Sequence, residues 1–295
     1  MTLTPEQLAV VEKNKRESLD RAEVIHARTQ LSLFVEAFAS DVNPKDDQHT
    51  MEHPMFALGK RADKKTRTFS DARGRKTTVT PSHTGLATIY DKDLLLFVIS
   101  HLMRAKNAGE PISPSVRIVS SQYLKFAHRG DGADDYKRVI PALDRLQGTQ
   151  IKTEIETNGK RSIDAFGWIS GYSVVTERNG KLYEFTVHLP PWVYNAILGD
   201  EVLSIGEDYF DLGPLERRLY EIGRKHLGKQ AEWKISIAKL KAKAIGEAGE
   251  LREFRRNLKP IVERGLPGLN LRLDGDDVHF RPAGPGALPG ARSGE

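Results

Sequence analysis

The residues of this chain best suited to chemistry are cations rather than nucleophiles or metal ligands. Between positions 233 and 264 there are nine Lys/Arg against four Glu. At 100° per residue, Leu251, Phe254, Leu258, Ile261 and Val262 fall on one side of a helix. Arg252, Arg255, Arg256 and Lys259 fall on a neighbouring side. The first side can seat the helix, and the second offers its charges to an anion. A guanidinium donates two parallel hydrogen bonds, which matches phosphate oxygens or the O6/N7 edge of guanine. Lys239, Lys241 and Lys243 sit in the segment just before. Most charged helix stripes are merely solvated. Here the clustering, and the position of the stripe in the element order below, favour double-stranded DNA.

A second group is less basic. Tyr136, Val139, Ile140, Leu143 and Leu146 form an apolar seat, with Lys137, Arg138 and Arg145 on the far side. Lys125, His128 and Arg129 precede it. Lys160 and Arg161 adjoin the Asn158-Gly159 turn, where the tip of a hairpin would meet phosphate. For this group, DNA contact and contact between two copies of the chain are level readings.

Other chemistries lack their residues. Each Gly-Lys pair, at 59, 159, 180 and 228, lacks the hydroxyl residue that follows in a phosphate-binding loop, which argues against a helicase or ATPase. The nine histidines are scattered without a His-x-His pair, which argues against a metal-dependent nickase. With no cysteine there are no disulfides or thiolate metal sites. Asp91/Asp93 and Asp276/Asp277 read as helix-dipole and turn residues. The expectation is a non-enzymatic protein with no cofactor and no metal.

The cations need elements to hold them. Residues 1–38 read as helical, with Thr4 as N-cap before Pro5. Lys60 to Lys76 carries eight Lys/Arg against two Asp, and its two β-leaning runs predict a hairpin. An apolar helix follows from Asp91 to Lys106, then a strand at Val116–Val119, a helix from Ser120 to His128 and a helix from about Asp134 to Gln147. Ile151–Glu156, Ile163–Val175 and Leu182–Leu189 alternate like strands, around Asn158-Gly159 and Asn179-Gly180 turns. A short helix is expected near Trp192–Leu198.

The order then repeats. Pro214–Leu227 is helical, Glu232–Ile235 a strand, Ser236 caps a helix to Ile245, and Glu250–Arg264 is a helix. Leu269–Leu273 and Val278–Arg281 form a hairpin. Pro141-Ala-Leu-Asp-Arg145 lines up with Pro260-Ile-Val-Glu-Arg264. Helix, strand, helix, helix, hairpin is the winged-helix form of the helix-turn-helix, whose third helix enters the major groove. The predicted fold is α+β: a helical arm (1–50), two tandem winged-helix domains (51–205 and 206–282) and a disordered tail (283–295). A length of 295 residues suits two domains. Lys+Arg at 45 against Asp+Glu at 40 is a mild excess, so the clustering of the basic residues matters more than their number. The start resembles no signal peptide, and the longest apolar run, Leu94 to Ile99, is too short for a membrane span, so the expectation is a cytoplasmic protein without membrane contact.

Two resemblances add to this reading. Pro81-Ser-His-Thr-Gly-Leu-Ala-Thr-Ile-Tyr-Asp-Lys-Asp93, running into the apolar helix, resembles the replication initiator protein A family of plasmids, from about Met55 to Phe280. The resemblance implies tandem winged helices, binding to direct origin repeats (iterons) and opening of adjacent DNA. It also implies recruitment of the host helicase and host initiator, and autorepression as a homodimer. Gln30-Leu31-Ser32-Leu33-Phe34 resembles the pentapeptide that docks bacterial proteins on the polymerase III β sliding clamp. Leu33 and Phe34 would fill an apolar pocket, and the Gln30 amide would bond at its rim; an ordinary helix seam is the competing reading. A transcriptional repressor without a replication role is the alternative function, and the missing sensor domain argues against it.

Overall fold

The computed structural model describes residues 31–34, 54–59, 61–70, 76–157, 160–177, 180–199, 202–228, 230–246 and 248–283. The expected arm outside 31–34, the Gln30 amide and the tail from 284 onward lie outside them.

The repeated order is present. In the first repeat, helix α1 (Lys92–Asn107) leads to strand β4 (Ser115–Val119), helix α2 (Ser120–Phe126), and helices α3 (Ala133–Lys137) and α4 (Val139–Gly148). Strands β7 (Gly171–Thr176) and β8 (Leu182–His188) close it, and helix α5 (Pro191–Leu198) follows. In the second, helix α6 (Pro214–Leu227) leads to strand β10 (Trp233–Ser236), helices α7 (Ile237–Ile245) and α8 (Leu251–Arg264), and strands β11 (Leu269–Asp274) and β12 (Asp277–Pro282). The two small sheets have the same topology: β4-β8-β7 and β10-β12-β11. In each, the strand after the first helix pairs antiparallel with the last strand of the hairpin.

A four-stranded sheet has no counterpart among the described residues of the second repeat. Strands β5 (Gln150–Thr157) and β6 (Lys160–Gly167) join β2 (Arg67–Ser70) and β3 (Lys76–Thr80) in the order β2-β3-β5-β6. The hairpin expected to carry the first wing tip is therefore an insertion, and the topological wing is β7–β8. The single run expected over Ile163–Val175 turns a corner between β6 and β7. There the Trp168 N–H donates to the Leu146 carbonyl at 3.1 Å, and the buried indole stacks on Phe56 at 4.1 Å. Gly167 makes the corner feasible, since a Cβ there would lie 2.8 Å from the Gln147 oxygen.

The third helices of the two repeats differ from each other. The helix expected from Asp134 to Gln147 is broken between α3 and α4 at Arg138. Pro141 has no N–H for the Lys137 carbonyl and its ring crowds that carbonyl, so the helix restarts with the proline in the new first turn. In α8 the matching Pro260 lies inside a continuous helix.

Leu31–Phe34 also departs from expectation. It forms strand β1, antiparallel to β9 (Val202–Ile205) with Leu31 opposite Ile205, where a helix was predicted. A single apolar core runs from Met55 to Phe280 through both repeats. Tyr209 and Phe210, in the 3-10 turn Glu207–Asp211 between the repeats, are buried in it, and Phe126 meets Phe210 edge-on at 5.1 Å. No helix among the described residues is long and apolar enough to cross a membrane.

Candidate nucleic-acid interface

Helix α8 buries Phe254, Leu258 and Ile261. Arg252, Arg256 and Lys259 are exposed on its other side, as is Lys239 on α7. Helix α7 starts cleanly because the Ser236 hydroxyl accepts the Lys239 N–H at 3.4 Å. The remaining predicted cations of this repeat are engaged. Lys241 donates to the Gly246 carbonyl at 3.1 Å, and Lys243 is half-buried. Arg255 pairs with Asp276 in the turn between β11 and β12. Arg256 makes a loose exposed pair with Glu253 at 3.4 Å.

That turn is acidic. Asp276 holds Arg255, Asp274 lies 3.2 Å from Arg272, and Asp277 lies 2.8 Å from Lys234. The bond to Asp277 raises the Lys234 ammonium above its ordinary value. A hairpin tip whose cations are matched by its own carboxylates has little attraction for phosphate, so the positive face of this repeat rests on α7 and α8. The sequence placed Asp276 and Asp277 in a turn, but its facing of Arg255 depends on how the hairpin folds back.

The first repeat neutralises itself further. Lys137 pairs with Asp134 at 3.2 Å and Arg138 with Asp135 at 3.6 Å, all on α3 or its end. Lys125 is exposed. Arg145 and Arg129 turn inward. Arg145 grips Asp91 with two bonds of 2.7 Å. Arg129 donates to the Tyr90 carbonyl at 2.8 Å and to Asp93 at 3.2 Å. Both therefore brace the start of α1, contrary to the expectation that Arg145 lies on the far side of its helix and that Arg129 is free for DNA. Lys160 and Arg161 lie opposite Thr157 and Glu156 in the inserted sheet, away from the topological wing. At that wing stands exposed Lys181, 4.4 Å from the Tyr136 ring centre.

Sequence reasoning missed a buried charge cluster between the repeats. Asp93 of α1 pairs with Arg217 of α6 at 2.6 Å as well as with Arg129. Lys92 pairs with Glu221 at 2.9 Å, and the Tyr209 hydroxyl donates to Glu221 at 2.7 Å. Arg217 is 2% exposed, donates to the Leu212 and Phe210 carbonyls, and lies over the Tyr90 and Tyr209 rings. Burial pushes the Tyr209 phenol well above its ordinary value. Burial also pushes Glu221 upward, but Lys92 and Arg218 overcome it and hold the carboxyl below its usual range. The legible signal was Lys92-Asp93 at the head of an apolar helix; the partners that bridge the repeats, Arg217 and Glu221, lie more than a hundred residues away. No group of His, Cys, Asp or Glu among the described residues could hold a metal ion.

The fold itself, mixed α+β, has solved counterparts. Two crystal structures of domains 2 and 3 of RctB superpose on it with TM-scores of 0.59 and 0.55, both at 13% identity and covering 77% of this chain. They are covered over 94% and 93% of their own lengths. The likeness defines a shared fold. The sequence model described as replication initiator protein A matches residues 45–271. A Wigglesworthia glossinidia brevipalpis protein named "Putative replication protein" is 35% identical over 232 residues, 76% of this chain and 83% of that protein. The chain belongs to the replication initiator protein A family, and its role is in starting DNA replication.

Proposed function

We propose that the chain binds repeated sequences in double-stranded DNA at a plasmid origin, through two tandem winged-helix units of which the second is the main reader. The observation that carries this is helix α8, which seats Phe254, Leu258 and Ile261 inward and leaves Arg252, Arg256 and Lys259 outward. A third helix so arranged fits the major groove. The family membership supports the setting, an origin, but not the repeats themselves. Lys239 on α7 lies where the preceding helix would cross the phosphate backbone. In this reading Lys125, Lys137 and Arg138 give the first unit a secondary backbone role. Arg129 and Arg145 act only by holding its frame.

Origin opening and recruitment of host helicase and host initiator follow from the same reading. So does docking of Gln30–Phe34 on the host sliding clamp. Leu31–Phe34 is extended, as in one mode of peptide docking, but it is paired with β9, so in this reading the strand leaves β9 to reach the clamp. Autorepression as a homodimer, bound upstream of its own gene, completes the proposal.

Footprinting of the pure protein on DNA flanking its gene is the test. Protection of repeats spaced by whole helical turns is expected, and Arg252→Ala with Lys259→Ala should abolish it. A footprint of one turn with no repeats would overturn tandem reading. A plasmid carrying only this gene and its upstream repeats should replicate; repression without replication would leave a transcriptional repressor.

A further inference from the structure

The most basic stretch of the sequence takes no part in the reading above. It runs from Lys60 to Lys76, with eight Lys/Arg against two Asp. Within it, Arg61, Lys64, Lys65 and Lys76 are exposed.

This strap is fixed at both ends. Ala57 donates to the Ala87 carbonyl and accepts from the Ile89 N–H, each at 2.9 Å. The Leu86 N–H donates to the Asp63 carbonyl at 2.8 Å. Arg67 donates to the Pro54 carbonyl at 2.5 Å and pairs with Asp63 at 2.6 Å. Beyond Arg67 the chain enters β2, held in the four-stranded sheet by β3. Arg61, Lys64 and Lys65 therefore stand on a held backbone and carry less ordering cost than cations of a loose tail.

The strap also meets the second repeat at a telling place. Gly246 ends α7 in the left-handed region, at φ 63°. A Cβ on it would lie 3.4 Å from the Pro54 ring and 3.9 Å from the Phe69 ring. Gly246 belongs to the turn of the helix-turn-helix, five residues before α8 begins. In such a motif that turn leads into the end of the reading helix that penetrates the groove, so neighbouring surface faces the flanking backbone. The segment that carries these cations thus lies, through Pro54 and Phe69 at its two sides, against the turn that leads into α8, although it comes from a distant part of the chain.

We infer that the strap carrying Arg61, Lys64 and Lys65 is part of the DNA interface of the second repeat and holds phosphates of the duplex flanking the site that α8 reads. The inference rests on the reading of α8 as a major-groove helix. Three ammonium or guanidinium groups on the segment leading into the edge strand β2 read no base. They supply affinity and register, and release counterions from the duplex. The matched acidic tip of the β11–β12 hairpin makes this contribution more valuable, because the usual phosphate-binding wing is discharged.

The test compares Arg61→Ala/Lys64→Ala/Lys65→Ala with Arg252→Ala/Lys259→Ala in the full chain, on the footprinted origin fragment and on scrambled duplex. All three strap residues are exposed, and unchanged thermal melting checks the fold. For the strap variant, the log–log dependence of affinity on salt should become shallower by about three. It should lose affinity for origin and scrambled DNA by the same factor, and hydroxyl-radical protection should retreat from one flank of the site. Base preference should stay as in the wild type. An unchanged salt slope and footprint, with the α8 variant still defective, would overturn the strap and leave the reading helix standing. Intact binding by the α8 variant, or no duplex binding by the wild type, would overturn both. Preferential loss of RNA or single-stranded DNA binding would assign the strap to another partner and reject the duplex role.

Discussion

The two repeats share an order of elements and a sheet topology, yet they spend their charge differently. In the second, α8 is continuous and exposes Arg252, Arg256 and Lys259. In the first, the equivalent helix is split at Arg138, Lys137 and Arg138 face carboxylates on their own helix turn, and Arg145 and Arg129 are drawn into Asp91 and Asp93. The first repeat also carries an extra four-stranded sheet and supplies α1 to the buried cluster on α6. A shared scaffold therefore does not imply a shared task. The second repeat keeps Arg252, Arg256 and Lys259 outward on α8, where they can meet an anion, while the first turns Arg129 and Arg145 onto the start of α1, whose Lys92 and Asp93 pair with Glu221 and Arg217 across the joint.

The sharpest way to break this comparison is to remove one carboxylate from each repeat. Asp93 and Asp276 both pair with arginine, but Asp93 is 1% exposed and the Asp276 side chain 85%. Asp93→Asn leaves Arg217 buried without its counter-charge and should cost about 3–5 kcal/mol in denaturant unfolding. Asp276→Asn should cost less than about 1 kcal/mol, since water screens that pair. Equal losses would mean that the joint does not hold the repeats.

The next test addresses the readers. Arg252→Ala and Lys259→Ala should each weaken origin binding by about 1–3 kcal/mol, while Lys137→Ala and Arg138→Ala should each cost under about 1 kcal/mol. Titration of labelled origin DNA at one fixed salt concentration measures all four. Equal effects would make the two repeats equivalent readers.

The smallest effect separates the two prolines. Pro260 lies in the interior of α8, and Pro260→Ala should stabilise the protein by about 1–2 kcal/mol by restoring a donor for the Arg256 carbonyl. Pro141 already sits in the first turn of α4, so Pro141→Ala should change stability by less than about 0.5 kcal/mol. Thermal melting of the two variants side by side checks the pair.

Much of the fold was legible because local physics fixes it. The periodicity of Leu94–Leu102 defines α1, Ser236 caps α7, and Asp274-Gly275 turns β11 into β12. The cationic face of α8 was legible for the same reason, since helical spacing alone puts Arg252 and Lys259 away from Phe254 and Leu258. Other features were not. The inserted sheet depends on β3 meeting β5 across some seventy residues, with Val79 opposite Ile151, and alternation within a strand says nothing of its neighbour. Leu31–Phe34 reads as helix or strand equally well until β9 lies beside it.

By itself, the sequence determined the repeated element order, the family and the stock of cations. Only the tertiary structure decided which cations are spent internally. An arginine's partner is whichever carboxylate the fold brings within hydrogen-bonding distance. For Arg129, Arg145 and Arg217 those partners lie 36, 54 and 124 residues away. No spacing rule reaches that far, because such pairs are set by how helices and sheets pack and not by the turn of any one helix.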